Sequence, residues 1–117
     1  MLLANFVVLF AGLVSVLPVN AASSTLKSAA GARYFGAALA QGHLQNRSDT
    51  MFAALAAQQF SGATPENEMK WDTIEPNRNQ FNFAPGDSIR DFALAHNFKL
   101  RGHTLVWHKY VQLYVLT

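Results

Sequence analysis

The chain has 117 residues, half of them hydrophobic, which suits one ordinary globular domain or part of one. Its formal net charge is only +2, and its nine lysines and arginines form no run, which argues against a protein that binds nucleic acid. The sequence contains no cysteine, so it offers neither a disulfide framework nor a thiolate metal site.

The first 22 residues, MLLANFVVLFAGLVSVLPVNAA, contain no charged side chain. Their apolar stretch, Phe6 to Val14, is short for a membrane span. Val19 and Ala21 suit the minus three and minus one positions of a cleavage site, so we predict a signal peptide over residues 1–22, cut after Ala21 or nearby. Because the leader lacks lysine and arginine, a buried N-terminal helix or anchor is the alternative.

The next predicted elements are a flexible segment, a strand and a helix. Residues 23–32 are mostly small or polar, and we expect them to be flexible, with the ordered part beginning near Arg33. The apolar run YFGAAL, residues 34–39, predicts a strand buried on both faces. Ser48 or Asp49 is expected to cap a helix whose apolar residues share one face at helical spacing. These residues are Met51, Phe52, Leu55 and Ala56, and the helix reaches Gln59.

A second unit and a third strand follow. Residues 60–64 predict a strand, and the segment PENEMKW, residues 65–71, predicts a loop. Asp87 is expected to cap a helix that directs inward Ile89, Phe92 and Ala93. Residues 99–107 predict a third strand, in which Arg101 and His103 point to the same face. Strands that alternate with helices predict a parallel α/β sheet.

Polar residues follow the second strand and lie at the end of the third. The first cluster begins after Pro65, and the second covers residues 103–108. Because ligand sites of α/β proteins lie at the carboxyl ends of parallel strands, we expect the two clusters to share one ligand cleft.

Several site residues have more than one interpretation. Glu66 and Glu68 could project together as a carboxylate pair for acid and base chemistry or for a metal, or could be solvated loop charges. His103 and His108 are five residues apart, which places them on opposite faces of a strand, so we predict no metal site from them. Trp107 could pack in a core or offer a flat face to a sugar ring.

Three blocks of the sequence resemble the N-terminal part of family 10 glycoside hydrolases, the endo-1,4-β-xylanases, and fungal ones in particular. They read ARYFGAAL, FSGATPENEMKWDTIEPNRNQFNF and KLRGHTLVWH, and the resemblance covers residues 33–108. It implies an α/β fold, namely about three βα units from the N-terminal part of a (β/α)8 TIM barrel. It also implies retaining hydrolysis of internal β-1,4-xylosidic bonds in xylan by two glutamates, without a metal or other cofactor.

The resemblance assigns substrate-binding residues to this chain but no catalytic residue. Residues after the second strand match sugar contacts on the non-reducing side of the scissile bond, and residues at the end of the third match groove positions. The five are Glu66, Asn67, Lys70, His103 and Trp107. The family's acid/base glutamate follows the fourth strand and its nucleophile the seventh. We therefore expect this chain to lack both catalytic glutamates and to be inactive alone.

Residues 109–117, KYVQLYVLT, depart from the family pattern, which usually continues with Ser-Gln-Leu-Pro and a tryptophan. Lys109-Tyr110-Val111 can be encoded with GTATGT, a usual fungal splice-donor sequence. Translation into an unspliced intron is one interpretation of this tail, and an incomplete sequence or a true truncation is the other.

The remaining expectations concern modification, location and partners. Asn46 begins the sequon Asn46-Arg47-Ser48 and is a glycosylation candidate in a secreted protein. We expect an extracellular protein whose partner is xylan or a xylo-oligosaccharide, with no nucleic acid, no membrane after signal cleavage, and a monomeric state when complete. The alternatives are a non-catalytic sugar-binding or inert product, and an unrelated α/β domain with a site at Glu66 and Glu68.

Overall fold

The computed structural model describes residues 24–116 and contains a parallel sheet. Its strands are β1 (Gly36–Leu39), β2 (Gly62–Pro65) and β3 (Lys99–Leu100), in the order β1-β2-β3. Leu39 pairs with Pro65, and Ala63 pairs with Leu100. The predicted parallel α/β sheet is confirmed, whereas the predicted signal peptide over residues 1–22 lies outside the described residues.

Two long helices connect the strands, and shorter helices lie around them. α3 (Thr50–Gln59) leads from β1 to β2, and α5 (Ala84–Ala95) leads from β2 to β3. The short ones are α1 (Leu26–Ala29), α2 (Gln41–Leu44), α4 (Trp71–Ile74) and α6 (Leu113–Leu116). Within residues 24–116, no helix is long and apolar enough to cross a membrane.

The core lies between the sheet and the long helices α3 and α5. Its buried residues are Leu39, Ala56, Ala63, Ile89, Ala93 and Phe98. Three of the six are alanines, so the helices approach the sheet closely and the buried side-chain volume is small.

α3 has the predicted cap, and three of its four predicted apolar residues share the face toward the sheet. The Asp49 carboxylate accepts a hydrogen bond from the Phe52 backbone N–H at 3.3 Å, as the sequence indicated. Ala56 is buried and Phe52 packs against the core, but Met51 is 67% exposed and Leu55 is 48% exposed. Phe52, Leu55 and Ala56 nevertheless line one pocket together with residues of β1, so these three share the face toward the sheet, whereas Met51 does not line that pocket.

α5 begins earlier than predicted, and the predicted cap at Asp87 is wrong. The helix begins at Ala84, with Pro85 in its first turn, where the fixed φ of proline suits a helix start. Asp87 instead lies within that first turn. The inward positions Ile89 and Ala93 are buried as predicted. Asn97, with φ of 56°, takes the left-handed conformation that commonly follows a helix end.

Two strands differ from their predicted extent or burial. The sequence predicts that β1 is buried on both faces, but only one face packs against the core: Leu39 is buried and Ala37 contacts the core, whereas Ala38, on the other face, is exposed and lines an open cleft. β3 contains two residues rather than nine. Its ladder ends where the Arg101 N–H donates to the Ala63 carbonyl at 2.9 Å, because β2 ends at Pro65, whose nitrogen has no hydrogen to donate.

The segment expected to be flexible, residues 23–32, contains α1. Thr25 caps this helix by accepting from the Ser28 N–H at 3.2 Å. The Lys27 ammonium donates to the Ala57 carbonyl at 2.8 Å, and the Leu26 N–H donates to the Gln59 side chain at 3.0 Å. These contacts join α1 to α3, a long-range attachment that the local composition does not indicate.

A substitution at Gly36 tests how closely β1 and β2 approach each other. A Cβ atom at this position would lie 2.8 Å from the Gly62 carbonyl oxygen, which is backbone and cannot rotate away. We expect Gly36→Ala to lower the free energy of unfolding by about 1–3 kcal/mol, as overpacking typically does, measured by urea denaturation followed by circular dichroism.

Gly42→Ala is the matched control for this substitution. Gly42 lies in α2, and a Cβ there meets nothing within 4 Å, so alanine is expected to leave stability unchanged or raise it by up to about 1 kcal/mol. Equal unfolding midpoints for the two variants would contradict the close pairing of β1 with β2.

Candidate functional site

An open cleft of about 410 Å³ lies at the carboxyl ends of β1 and β2 and beside the residues that follow β3. Residues of both predicted polar clusters line it, because Glu66, Asn67 and Lys70 come from the first cluster and His103 comes from the second. Its polar lining residues are Thr64, Glu66, Asn67, Lys70, Arg101 and His103. Four of the five residues predicted to bind substrate are among them.

Lys70 is buried beside the cleft although its side chain is long and charged. It is only 8% exposed, and its ammonium donates to the Asn67 Oδ1 atom at 2.7 Å. The same ammonium lies 5.1 Å from the ring centroid of Trp107 and 4.1 Å from that of Tyr110. An amide oxygen and two aromatic faces thus replace much of the water that this charge would otherwise bind.

Trp107, the fifth predicted residue, lies next to the cleft and contacts two of the other four. Its ring centroid is 6.0 Å from that of His103, and Lys70 lies over its face. Tyr110 stacks on the indole with centroids 5.2 Å apart and an interplanar angle of 28°. The structure therefore brings all five predicted residues together, while their role in binding a sugar stays a prediction.

Arg101 and Tyr110 belong to this region, although the sequence did not predict them as site residues. Arg101 lines the cleft, and the predicted alternation that placed it on the same side as His103 was the available signal. Tyr110 belongs to the tail that departs from the family pattern, so no motif indicated its contact with Lys70.

Glu68 has a structural role that its sequence context did not reveal. The side chain is 7% exposed, and both carboxylate oxygens accept backbone hydrogen bonds. Oε1 accepts from the Gln41 N–H at 2.6 Å, and Oε2 accepts from the Asn67 N–H at 2.9 Å. The carboxylate thereby joins the loop after β2 to the start of α2, and it fixes the backbone of Asn67.

The interpretation of Glu66 and Glu68 as a functional carboxylate pair is wrong. Glu66 is exposed and lines the cleft, whereas Glu68 is buried and its two oxygens are occupied by backbone donors. In the part of the chain that the structure describes, no group of three or more histidines, aspartates or glutamates could hold a metal ion.

Trp71 packs and hydrogen bonds outside the cleft. Its indole N–H donates to one oxygen of the Glu75 carboxylate at 3.0 Å, and the other oxygen accepts from the Asn79 N–H at 2.7 Å. The backbone hydrogen bond from Asn79 is the main reason why the pKa of Glu75 lies below its ordinary value. This network fixes the turn after α4.

A parallel sheet with connecting helices and a polar cleft at the carboxyl ends of its strands is the arrangement of α/β proteins, which include the β/α barrels. The sequence model of glycosyl hydrolase family 10 matches residues 23–116, and the chain belongs to this family. The match extends beyond the expected range 33–108 at both ends.

Relatives and solved structures agree with this assignment. The chain is 41% identical over 92 residues to endo-1,4-beta-xylanase 2 of Aureobasidium pullulans, covering 73% of this chain and 23% of that protein. A glycosylated endo-beta-1,4-xylanase from Gloeophyllum trabeum is 54% identical, with a TM-score of 0.75 over 78% of this chain and 29% of that chain. Xylanase 10B from Thermotoga petrophila, solved with xylobiose, is 34% identical, with a TM-score of 0.73 over 79% of this chain and 29% of that chain.

The chain spans less than a third of the length of each of these proteins. The predicted fold is confirmed, because these family 10 neighbours are TIM barrels and the described residues form an α/β unit with a parallel sheet, consistent with an N-terminal portion of such a barrel.

The buried carboxylate of Glu68 can be tested against its exposed neighbour. Glu68→Leu removes the acceptor of two backbone N–H groups, and we expect it to lower the free energy of unfolding by about 1–3 kcal/mol, read from urea denaturation. Glu66→Leu, which changes an exposed side chain in the same loop, should stay within about 0.5 kcal/mol of the wild type. An equal loss of stability in both variants would show that Glu68 is no more important to the fold than a surface glutamate.

Proposed function

We propose that this chain supplies part of the substrate groove of an endo-1,4-β-xylanase and binds β-1,4-linked xylose residues. The observation that carries the proposal is the convergence of the five predicted residues around one cleft. The substrate class is supported by membership of glycosyl hydrolase family 10 and by relatives that are named xylanases.

The chemistry of the cleft suits a ligand rich in hydroxyl groups. Glu66 offers exposed carboxylate oxygens, which accept strong hydrogen bonds from sugar hydroxyls. The Oδ1 atom of Asn67 is engaged by Lys70, so the amide nitrogen is the side of Asn67 that donates to a sugar oxygen. Trp107 offers an apolar face for the ring.

We propose further that this 117-residue chain binds the sugar without cleaving it. Retaining glycosidases need two carboxyl groups about 5–5.5 Å apart on either side of the scissile bond. Among the described residues that line the cleft, Glu66 is the one carboxylate, and the nearby Glu68 is buried against backbone donors. In the family pattern both catalytic glutamates follow later strands than those described.

Binding and hydrolysis can be measured separately on the purified chain. We expect calorimetric titration to detect binding of xylotriose, and we expect incubation with xylan to release no reducing sugar above the buffer value. Lys70→Met removes a charged donor from the site and should weaken xylotriose binding by about tenfold, because hydrogen bonds to charged groups contribute about 1.5–3 kcal/mol.

Lys99→Met is the matched control, because Lys99 is an exposed lysine that does not line this cleft. Circular dichroism of both variants verifies that the fold is retained. Equal affinity in Lys70→Met and the wild type would contradict the assignment of the cleft, and hydrolysis of xylan by the chain would contradict binding without cleavage.

We also propose that the protein is secreted and carries a glycan at Asn46. The apolar leader supports secretion, and Asn46 lies exposed between α2 and α3, where its Oδ1 accepts from the Ser48 N–H at 2.9 Å. After expression in a yeast secretory host, we expect a product in the medium that begins at or near Ala22 and loses mass on treatment with an N-glycosidase.

Two variants separate glycosylation from other mass changes. Ser48→Ala destroys the sequon but keeps Asn46, and Asn46→Gln removes the acceptor, so both should abolish the loss of mass. A product that stays in the cells with its leader intact would contradict secretion.

A further inference from the structure

Tyr110 covers Lys70 and Trp107, which place a positive charge and an aromatic face beside the cleft. Its ring stacks on Trp107 at 5.2 Å, and the Lys70 ammonium lies 4.1 Å from its centroid, closer than the 5.1 Å to Trp107. Tyr110 itself is 39% exposed, whereas Lys70 is 8% exposed. The tyrosine therefore lies on the solvent side of the cluster, and the lysine lies beneath it.

The segment that carries Tyr110, residues 109–116, is attached at a second point, and we call it the strap. The Tyr114 hydroxyl donates to the Glu75 carbonyl at 2.9 Å. Arg78 donates to the Tyr114 carbonyl at 2.9 Å, and its guanidinium lies 5.6 Å from the Tyr114 ring centroid. The strap thus extends from the cleft to the turn after α4 and holds Tyr110 in place.

We propose that Tyr110 is a built-in competitor for the sugar, so that the strap has to move before a ligand contacts Lys70 and the covered face of Trp107. This proposal rests on the proposed sugar-binding function of the cleft. A tyrosine ring and a xylose ring both present a flat surface of similar size to an indole, so the two compete for the same face. Tyr110 also holds the ammonium that would donate to a sugar hydroxyl.

The consequence is a reduced apparent affinity. When only a fraction of molecules has the strap displaced, the observed dissociation constant equals the intrinsic one divided by that fraction. Aromatic stacking and cation–π contacts of this kind favour the closed arrangement by about five- to tenfold. Removing the tyrosine ring should restore affinity by that factor.

Tyr110→Ala tests the proposal by two independent measurements. The first needs no sugar: acetylation by acetic anhydride, followed residue by residue with mass spectrometry, should modify Lys70 about five times faster than in the wild type. The second is titration with xylotriose, for which we expect an affinity about five- to tenfold higher.

Tyr34→Ala is the matched control, because it removes a tyrosine that makes the same kind of contact with a different lysine. The Lys99 ammonium lies 5.6 Å from the Tyr34 centroid, and neither of these two residues lines the cleft. This variant should leave both the Lys70 acetylation rate and the xylotriose affinity unchanged.

Tyr114→Phe removes only the hydroxyl that anchors the strap. We expect it to raise both the Lys70 acetylation rate and the xylotriose affinity, by a smaller factor than Tyr110→Ala does.

The outcomes separate this proposal from the proposed function. Faster acetylation of Lys70 without xylotriose binding in any variant would uphold the occlusion by the strap and overturn sugar binding at the cleft. Unchanged acetylation in both Tyr110→Ala and Tyr114→Phe would overturn the occlusion. Weaker xylotriose binding in a folded Tyr110→Ala protein would show that Tyr110 supports the ligand, which also overturns competition.

Discussion

Both oxygens of the Glu68 carboxylate accept hydrogen bonds from backbone N–H groups. One donor lies just after β1, and the other lies just after β2. The donor at Gln41 begins α2, and the donor at Asn67 lies in the loop that enters the cleft. A chain of contacts continues from there, because the Asn67 amide holds the Lys70 ammonium, which in turn faces Trp107. The positions of the cleft residues therefore depend on a buried carboxylate that does not itself face the cleft.

The parts of the structure that follow from short-range patterns could be predicted from the sequence. The Asp49 cap, the inward face of α5 and the meeting of two polar clusters at one sheet edge all follow from local spacing and from the geometry of parallel strands. The role of Glu68 could not be predicted this way, because its donor Gln41 is 27 residues away and no spacing rule connects them. The length of β3 was missed for a related reason, since it depends on where its partner strand stops offering donors.

The small core is consistent with a sheet that belongs to a larger architecture. The described sheet has three strands and two edges, whereas a closed eight-stranded barrel has no edge. Leu105 is 91% exposed, and the stacked rings of Phe81 and Phe83 also face solvent. Relatives of which this chain covers less than a third contain further chain with which such surfaces can be covered. The described residues therefore fix one side of a groove, although the core that they bury is small.

One physical requirement underlies both the proposed sugar binding at this cleft and the contact of the chain's own tyrosine with its rim. A donor that recognises hydroxyl groups is most effective when it is already oriented, and Lys70 is oriented by Asn67 and by aromatic faces. An ordered cation beside a partly buried indole is, however, attractive to any aromatic ring that can reach it. Tyr110, three residues after Trp107 in the chain, reaches it at low entropic cost because the connecting loop is short. The contacts that orient the Lys70 ammonium therefore include the contact with Tyr110 that covers it.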